Sequence, residues 1–294
     1  MIKISIIIPT KDRPELLRKT LVFLKKNKNF FNEVMIVDSS KKYNFKKNIE
    51  TIQYLNFKVK HFYSKPSTSL QRNIGLKKLS KASNYVMFLD DDVDFKKHAL
   101  KNMKNFILNN RDYAGYGFNL MLKYNSWTNS FKTNLILNYF DLYSNKPGKV
   151  SKSGWHSKAI NLKKNTFVDW LPTQAVIYNK KTIKDRFFYL GFGSYSYLED
   201  LEFSYTLSKK KRLIIVSNAK YKSDNDVNRN FFLFGKKELV NRYIFLKRNK
   251  LKYSKFLLMS FFIILKNFSQ GFLNYRYFIR FFGNIYGLIK TFYI

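Results

Sequence analysis

The chain contains no cysteine, and this absence excludes disulfide bonds, zinc–thiolate centres and cysteine nucleophiles. A chain without cysteine suits a reducing compartment such as the cytoplasm. Histidine is also scarce, and none of His61, His98 and His156 is spaced with another as a metal-binding pair. A metal ion, if one is bound, would therefore need oxygen ligands.

The first glycine of the chain is Gly75, so no glycine-rich turn follows the first apolar run, Ile4–Pro9. This excludes the dinucleotide-binding fingerprint and the Walker-type phosphate loop, because both need glycine at that turn. A nucleotide bound here would be held by side chains, with or without a metal ion. The run is also too short for the apolar part of a secretory signal, and we interpret it as a strand.

Acidic residues are few, 19 against 55 Lys and Arg, so the 294-residue chain has a formal net charge of +36. A charge of this size favours contact with a polyanion, either anionic lipid or nucleic acid. An AT-rich genome would also give part of the lysine excess, so charge alone leaves the partner open. With 45% hydrophobic residues, the chain can fill the core of one large α/β domain, with or without an appendage.

Strand-like and helix-like segments alternate along the amino-terminal third, which predicts a mainly parallel sheet covered by helices. Asp12 is the expected N-cap of the first helix, and Asp94 that of a helix beginning at Phe95. The other expected elements are strands over Ile4–Pro9, Glu33–Val37, Phe57–Phe62, Tyr85–Leu89, Gln174–Tyr178 and Leu213–Val216, and a helix over Ser69–Leu79.

Three consecutive carboxylates, Asp90, Asp91 and Asp92, directly follow the buried-strand pattern of Tyr85–Leu89. Open α/β sheets bind ligands at the carboxyl ends of their strands. This much negative charge needs neutralisation, either by nearby Lys or Arg or by a divalent cation, Mg²⁺ or Mn²⁺, that also holds a phosphate. A solvated acidic turn is the alternative interpretation.

The order of several short segments resembles that of family 2 glycosyltransferases of the GT-A fold, over roughly residues 2–250. Beside the C-terminal amphipathic helices that the tail itself predicts, the resemblance implies an α/β nucleotide-diphospho-sugar transferase fold, with a mainly parallel central sheet flanked by helices. It implies a catalytic domain over residues 1–235, with a nucleotide-binding half at 1–100 and an acceptor half at 101–235, and a tail at 236–294. The segments are Ile6–Arg13, Val37–Ser39, Gln71–Gly75, Phe88–Asp92, Asp169–Leu171 and Leu198–Phe203.

The resemblance also implies roles for single residues at the donor. An Asp at position 38 can accept the imide N–H of uracil, which indicates a UDP-sugar and leaves GDP- and dTDP-sugars open. The guanidinium of Arg72 suits phosphate oxygens. The alternatives are a turn cap for Asp38 and a solvated helix charge for Arg72. The residues implied are Thr10, Arg13, Asp38, Arg72, Asp90 and Asp91 for the nucleotide-sugar and Asp92 for the metal.

On the acceptor side, the resemblance makes Asp200 the general base. It would take the proton of the acceptor hydroxyl as that oxygen attacks the anomeric carbon, and this direct displacement inverts the configuration. Glu199 and Trp170 are expected to contact the acceptor. The alternatives are that the acidic residues near Asp200 only favour the positive end of a helix dipole, and that Trp170 is a core residue.

One departure from the family concerns the metal. Many relatives carry a metal-ligating His after the last strand, whereas Asn218–Asp224 contains none. The affinity for Mg²⁺ or Mn²⁺ is therefore open. Asp92 would act with the diphosphate and water, Asp224 or Asp226 would assist, or Lys222 would replace the metal.

The tail Lys236–Ile294 carries twelve cations and one acid, a net charge of +11. In its apolar stretch Phe272–Ile289, a polar side chain recurs every four residues, at Arg276, Arg280 and Asn284. A narrow polar stripe on an apolar, cationic helix predicts an amphipathic helix that lies in the plane of an anionic membrane surface. The alternatives are packing on the catalytic domain, an oligomer interface and a re-entrant hairpin.

The sequence therefore predicts an inverting, metal-assisted glycosyltransferase, peripheral on the inner, cytoplasmic face of the plasma membrane. Its acceptor would be a lipid-linked or cell-envelope glycan. One alternative is a catalytically silent relative that binds membranes or polyanions. A nucleic-acid-binding protein is another, but the carboxylate clusters would repel nucleic acid and no recognition motif is present. A nucleotidyltransferase lacks support because no glycine-rich triphosphate loop is present. The sugar, the linkage and the oligomeric state stay open.

Overall fold

The structure is a computed structural model that describes residues 2–122, 131–193, 196–223 and 230–294. The chain forms two compact units. The first unit contains residues 1–123 and 159–224, and the second contains 124–158 and 225–294. The predicted domain boundaries differ from this division, because segment 124–158 groups with the C-terminal helices. Its side chains Leu137, Leu142 and Trp155 share a buried cluster with Tyr243 and Phe256.

The helices and strands are numbered in chain order. The strands are β1 (Ile4–Thr10), β2 (Glu33–Asp38), β3 (Val59–Tyr63), β4 (Tyr85–Leu89), β5 (Val93–Phe95), β6 (Gly115–Leu120), β7 (Thr166–Val168), β8 (Ala175–Asn179) and β9 (Leu213–Ser223). The helices of the first unit are α1 (Pro14–Lys26), α2 (Lys42–Gln53), α3 (Thr68–Lys77), α4 (Ala99–Asn109) and α6 (Glu199–Ser208). Those of the second unit are α5 (Phe131–Tyr139), α7 (Phe231–Arg248), α8 (Tyr253–Gly271) and α9 (Arg276–Thr291).

The described strands form one mixed sheet in the order β3-β2-β1-β4-β8-β6-β9-β5, with β7 also paired to β9. The predicted parallel arrangement holds for β3, β2, β1 and β4, whereas β8 runs antiparallel to both β4 and β6. Thr10 at the end of β1 is in register with Asp38 at the end of β2. The carboxyl ends of β1, β2 and β4 therefore meet at one edge, where Thr10 and Asp38 end their strands and the triplet follows β4.

Apolar side chains on both faces of the central strands form the core of the first unit. Strand β1 is buried along its whole length, which is typical of a parallel strand covered by helices on both faces. Ile6 and Ile8 belong to the cluster that includes Leu17 of α1, while Ile7 belongs to the opposite cluster with Phe88 and Phe203. The alternation of the strand thus fixes which helix covers which face.

Two predicted helix caps were wrong. The residue that precedes α1 is Arg13, and Asp12 has a left-handed backbone with a φ of 53°. This conformation turns the Asp12 carboxylate towards α2, where it accepts hydrogen bonds from the backbone N–H of Lys41 (2.8 Å) and from Asn44 (3.1 Å). Asp94 lies within the short strand β5 instead of capping a helix, because α4 begins only at Ala99.

In the second unit, α7 and α9 approach each other closely at glycines of both helices. A Cβ atom added at Gly283 of α9 would meet the carbonyl oxygen of Phe232 in α7, and one added at Gly235 would meet that of Arg280. The helices can therefore pack backbone against backbone only while these positions lack side chains. Among the described residues, no helix has the length and apolar character needed to cross a membrane.

We expect Gly283→Ala to destabilise the protein by about 1–3 kcal/mol, because the added methyl group would push α9 away from α7. The free energy of unfolding in urea measures this effect. Ser269→Ala, at an exposed position of α8, is the control and should be neutral or slightly stabilising, because alanine favours helix. Equal stability of wild type and Gly283→Ala would contradict the close approach.

Candidate active site

The acidic triplet Asp90–Asp92 lies at the carboxyl end of β4, and its middle member is buried. Asp91 accepts hydrogen bonds from the hydroxyl of Thr10 (2.6 Å) and from Arg13 (3.3 Å), and Thr20 donates to its backbone carbonyl (2.9 Å). Burial raises the pKa of Asp91 to about 6, although Thr10 and Arg13 oppose this shift. Asp91 therefore anchors the triplet to the end of β1.

Asp92 has one carboxylate oxygen whose hydrogen-bonding capacity is not used. Its Oδ2 lies 3.7 Å from Nη1 of Arg13, whereas its Oδ1 is buried without a hydrogen-bond partner. Burial, followed by the charge of Asp90, raises the pKa of this carboxyl. A buried oxygen without a donor is costly unless a cation meets it, and this fits a Mg²⁺ or Mn²⁺ ligand.

The described residues contain no group of three or more His, Cys, Asp or Glu side chains that could hold a metal ion. Asp92, with the partly exposed Asp90 beside it, would hold an ion whose other ligands come from the diphosphate and water. Of the predicted substitutes for the missing His, Lys222 is exposed on β9 opposite Asp94. Asp224 and Asp226 lie outside the described residues.

Arg72 of α3 is the centre of a buried ionic network. Its side chain is only 2% exposed; it donates to Oδ1 of Asp90 (2.8 Å) and, through Nη1, to Oε1 of Glu199. Burial alone would lower the pKa of this guanidinium, but Glu199 and Asp90 raise it. Ser69 donates to the other oxygen of Glu199 (2.6 Å). Both oxygens of Glu199 thus have protein partners, and Arg72 ties the start of α6 to the triplet.

Asp200 follows Glu199 in the first turn of α6 and is only partly buried. Its Oδ1 accepts a hydrogen bond from the N–H of Leu201 (2.8 Å). Burial, and then the charge of Glu199, raise the pKa of Asp200 to about 6. Leu198, immediately before the helix, has a φ of 73°, a conformation that costs a branched side chain about 1–3 kcal/mol and is typical of functional sites. Asp200 is therefore a partly accessible carboxyl poised to exchange a proton near neutral pH.

Asp38 lies at the same sheet edge but is fully buried. It accepts hydrogen bonds from the N–H of Ser40 (2.8 Å) and the amide of Asn48 (2.7 Å), and Nε2 of His61 lies 3.2 Å away. Burial would raise the pKa of Asp38, but His61, Ser40 and Asn48 outweigh it and lower the pKa. This geometry gives Asp38 a structural function at the end of β2, and its contact with the base stays a prediction.

Several residues that shape the site were not assigned a function from the sequence. The side-chain amide of Gln71 donates to the carbonyls of Thr10 (2.9 Å) and Val37 (2.7 Å), which joins the ends of β1 and β2. Asn73 exchanges two hydrogen bonds with the backbone of Phe188. Gln71 and Asn73 flank Arg72 in the segment Gln71–Gly75, one of those on which the resemblance to the family rests. Their position next to Arg72 was the signal in the sequence that could have indicated a function for them.

Tyr221 of β9 is fully buried, and its hydroxyl donates to Gln174 (3.1 Å). Burial raises its pKa, as do the charges of Asp90, Asp92 and Asp200. Tyr221 was not expected at the site because the last strand was predicted to end at Val216.

Trp170 is 8% exposed, so little of its indole is open to a sugar, and its contact with the acceptor stays a prediction.

The structure thus brings the triplet, Thr10, Arg13, Arg72 and Glu199 into one network at the edge of the sheet. The model of the glycosyl transferase family 2 matches residues 5–165, which include the triplet and most of these residues. The chain belongs to this family. It is a glycosyltransferase, and the matched region ends before α6 and Asp200.

Solved structures of glycosyltransferases share its GT-A fold. One is residues 1–349 of TarS from S. aureus, with 19% identity, a TM-score of 0.53, and coverage of 88% of this chain and 72% of that chain. The same TarS fragment in complex with UDP has 18% identity, a TM-score of 0.52, and coverage of 88% of this chain and 69% of that chain. GalNAc-T7 with UDP, GalNAc and Mn²⁺ has 14% identity, a TM-score of 0.57, and coverage of 76% of this chain and 44% of that chain. No curated protein sequence matched the enzyme.

We expect Arg72→Met to destabilise the enzyme by about 3–5 kcal/mol, because it leaves the buried Glu199 without its charge partner. Adding Glu199→Leu should recover part of this loss. Arg18→Met, which breaks the exposed pair with Glu15, is the control and should cost about 0–1 kcal/mol. Urea unfolding measures all three variants, and similar losses for Arg72→Met and Arg18→Met would contradict the central place of Arg72.

Proposed function

We propose that the enzyme is an inverting glycosyltransferase that moves a sugar from a nucleotide-diphosphate donor to a hydroxyl group of its acceptor. The placement of Asp200 carries this proposal. It is partly accessible at the start of α6, next to Glu199, which Arg72 ties to the acidic triplet. A pKa near the working pH suits a general base, because the carboxylate then accepts a proton readily while remaining largely ionised.

In the proposed reaction, Asp200 accepts the proton of the acceptor hydroxyl while that oxygen bonds to the anomeric carbon from the face opposite the nucleotide. The bond between this carbon and the diphosphate oxygen breaks in the same step, so the configuration is inverted. A bound Mg²⁺ or Mn²⁺ would supply stabilisation of the negative charge on the diphosphate. Arg13, an exposed cation at the triplet, would also contact these phosphates.

We favour UDP as the nucleotide of the donor. The structures of TarS in complex with UDP and of GalNAc-T7 with UDP and Mn²⁺ support this, since both share the fold. The proposed acceptor is a lipid-linked or cell-envelope glycan. The enzyme would act as a peripheral protein on the inner face of the plasma membrane, where its tail of net charge +11 can contact anionic lipid.

Thermal unfolding with UDP-, GDP- or dTDP-sugars, each with Mn²⁺, Mg²⁺ or EDTA, tests the donor site. We expect a UDP-sugar to raise the Tm only with metal, and Asp92→Asn to lose this shift because the negative charge that would hold the metal is removed. Asp94→Asn removes an exposed charge two residues away and should keep the shift. A shift in Tm that is the same with metal and with EDTA would indicate that Arg or Lys side chains bind the diphosphate in place of a metal ion. No shift in Tm with any nucleotide-sugar would overturn the proposed donor site.

We expect Asp200→Asn to lower kcat by about 10²–10⁴-fold, because an amide cannot take the proton of the acceptor hydroxyl. The variant should keep the nucleotide-dependent rise in Tm, since Asp200 does not hold the donor. Asp185→Asn, an exposed carboxylate outside the site, is the matched control and should retain full activity. Turnover by Asp200→Asn at the wild-type rate would exclude Asp200 as the base.

The pH dependence follows from the raised pKa of Asp200, about 6. The base must be deprotonated, so we expect kcat/KM to fall tenfold per pH unit below about 6 and to level off above it. The effect on stability has the opposite sign. The folded enzyme binds the proton of Asp200 more tightly than the unfolded chain does. The contribution of Asp200 to the free energy of unfolding is therefore present at low pH and is lost as pH rises through 6. A flat kcat/KM profile between pH 5 and 7 would contradict this assignment.

A further inference from the structure

Helix α9 exposes a continuous row of apolar and aromatic side chains. Their sequence positions advance by alternating steps of four and three residues, which keeps them on one face of a helix. A helix on the surface of a water-soluble protein normally has polar residues on its outward face. The row consists of Ile279, Phe282, Tyr286 and Ile289 within α9 and of Tyr275 and Tyr293 in the residues that flank it, and each of these side chains is exposed.

Helix α8 shows the same arrangement. Its exposed apolar side chains follow the same alternating spacing, and the turn after it exposes Leu273 to 90%. Phe268 of α8 and Phe272, which directly follows α8, also contact Phe278 of α9, so the two rows belong to one packed pair of helices. The row on α8 consists of Leu258, Phe261, Leu265 and Phe268, and it continues at Phe272. We call the rows on α8 and α9 together the two-row surface.

Buried polar contacts fix which side of α9 faces outward. Arg276 of the predicted polar stripe is exposed, whereas the other two residues face α7, and Arg280 pairs with Glu238 (2.8 Å). Asn284 is fully buried and donates to the carbonyl of Gly235 (3.0 Å) and to Glu238 (3.1 Å). Rotating α9 to hide its apolar row would break these bonds and leave buried polar groups unpaired. These contacts between α9 and α7 therefore keep the apolar row on the outward side of α9.

Charge decides what can cover the two-row surface. Lys236–Ile294 contains one acid, Glu238, and Arg280 already neutralises it. Cations lie on or beside the α9 row: the half-buried Lys236 lies 4.7 Å from the ring centre of Tyr286, and the exposed Lys290 follows Ile289. A second copy of this surface would bring like charges together. An anionic bilayer is complementary in both respects, since it accepts apolar side chains and attracts cations.

We propose that the two-row surface seats α8 and α9 in the plane of an anionic lipid bilayer, with the aromatic and aliphatic rows in the region between headgroups and acyl chains. This rests on the proposed membrane location and names the surface responsible for it. Neither helix is apolar enough to span the bilayer, which agrees with an in-plane position.

Co-sedimentation of the full chain with vesicles tests the proposal. The vesicles contain phosphatidylcholine alone or phosphatidylcholine mixed with phosphatidylglycerol. We expect binding to the anionic vesicles, and a loss of at least about tenfold in Phe282→Ser/Ile289→Ser, because two exposed apolar side chains no longer enter the bilayer. The matched control Tyr54→Ser/Leu108→Ser removes one exposed aromatic and one exposed aliphatic side chain from the first unit, and should bind as wild type does.

Charge is tested separately with Arg276→Gln/Lys290→Gln. This variant should bind anionic vesicles about tenfold or more weakly than wild type. Unchanged vesicle binding by both double variants would overturn the proposal. So would a lipid-free dimer, seen by light scattering, that Phe282→Ser/Ile289→Ser converts to monomer, because the occupant would then be a second copy. The rise in Tm with a nucleotide-sugar is measured on every variant, so a failure of the donor site is distinguished from a failure of the membrane surface.

Discussion

The ionic network around Arg72 is the interaction on which the site depends. A guanidinium removed from water costs several kcal/mol and is tolerated only with well-placed carboxylates. Asp90 and Glu199 provide them, one from the end of β4 and one from the first turn of α6. The element that carries the proposed base is thereby held at a fixed distance from the element that carries the proposed metal ligand. Loss of Arg72 would leave Glu199 buried and charged, so the stability of this unit and the geometry of the site are linked.

The three carboxylates of the triplet differ because their surroundings differ. Asp90 is neutralised by Arg72, and Asp91 is anchored by Thr10 and Arg13. Asp92 keeps a buried oxygen without a partner. Environments of this kind separate the properties of chemically identical groups, so that one carboxylate is structural and another remains available to a ligand. Arg13 and Arg72 thus pair with members of the triplet, which is one of the two means of neutralisation that the sequence left open.

The second unit reverses the usual arrangement of an amphipathic helix. In α9, Arg280 and Asn284 lie against α7 and satisfy Glu238, while Phe282 and Tyr286 are exposed. The close approach of α7 and α9 at Gly235 and Gly283 brings these polar groups within hydrogen-bonding distance. The same few contacts therefore stabilise the helix pair and determine which surface it presents to a partner.

The sequence by itself determined the strands β1, β2 and β4, the acidic triplet at the end of β4 and the family, because these depend on local apolar runs and short ordered motifs. Only the tertiary structure decided that Arg72 meets Glu199, a residue 127 positions away, that Asp38 is internal, and that Arg280 and Asn284 of the stripe on α9 face inward. The physical reason is the same in each case. Periodicity indicates that a helix has two faces, and a motif indicates that a charge needs a partner. Which face is buried and which partner is met depends on contacts between segments far apart in the chain.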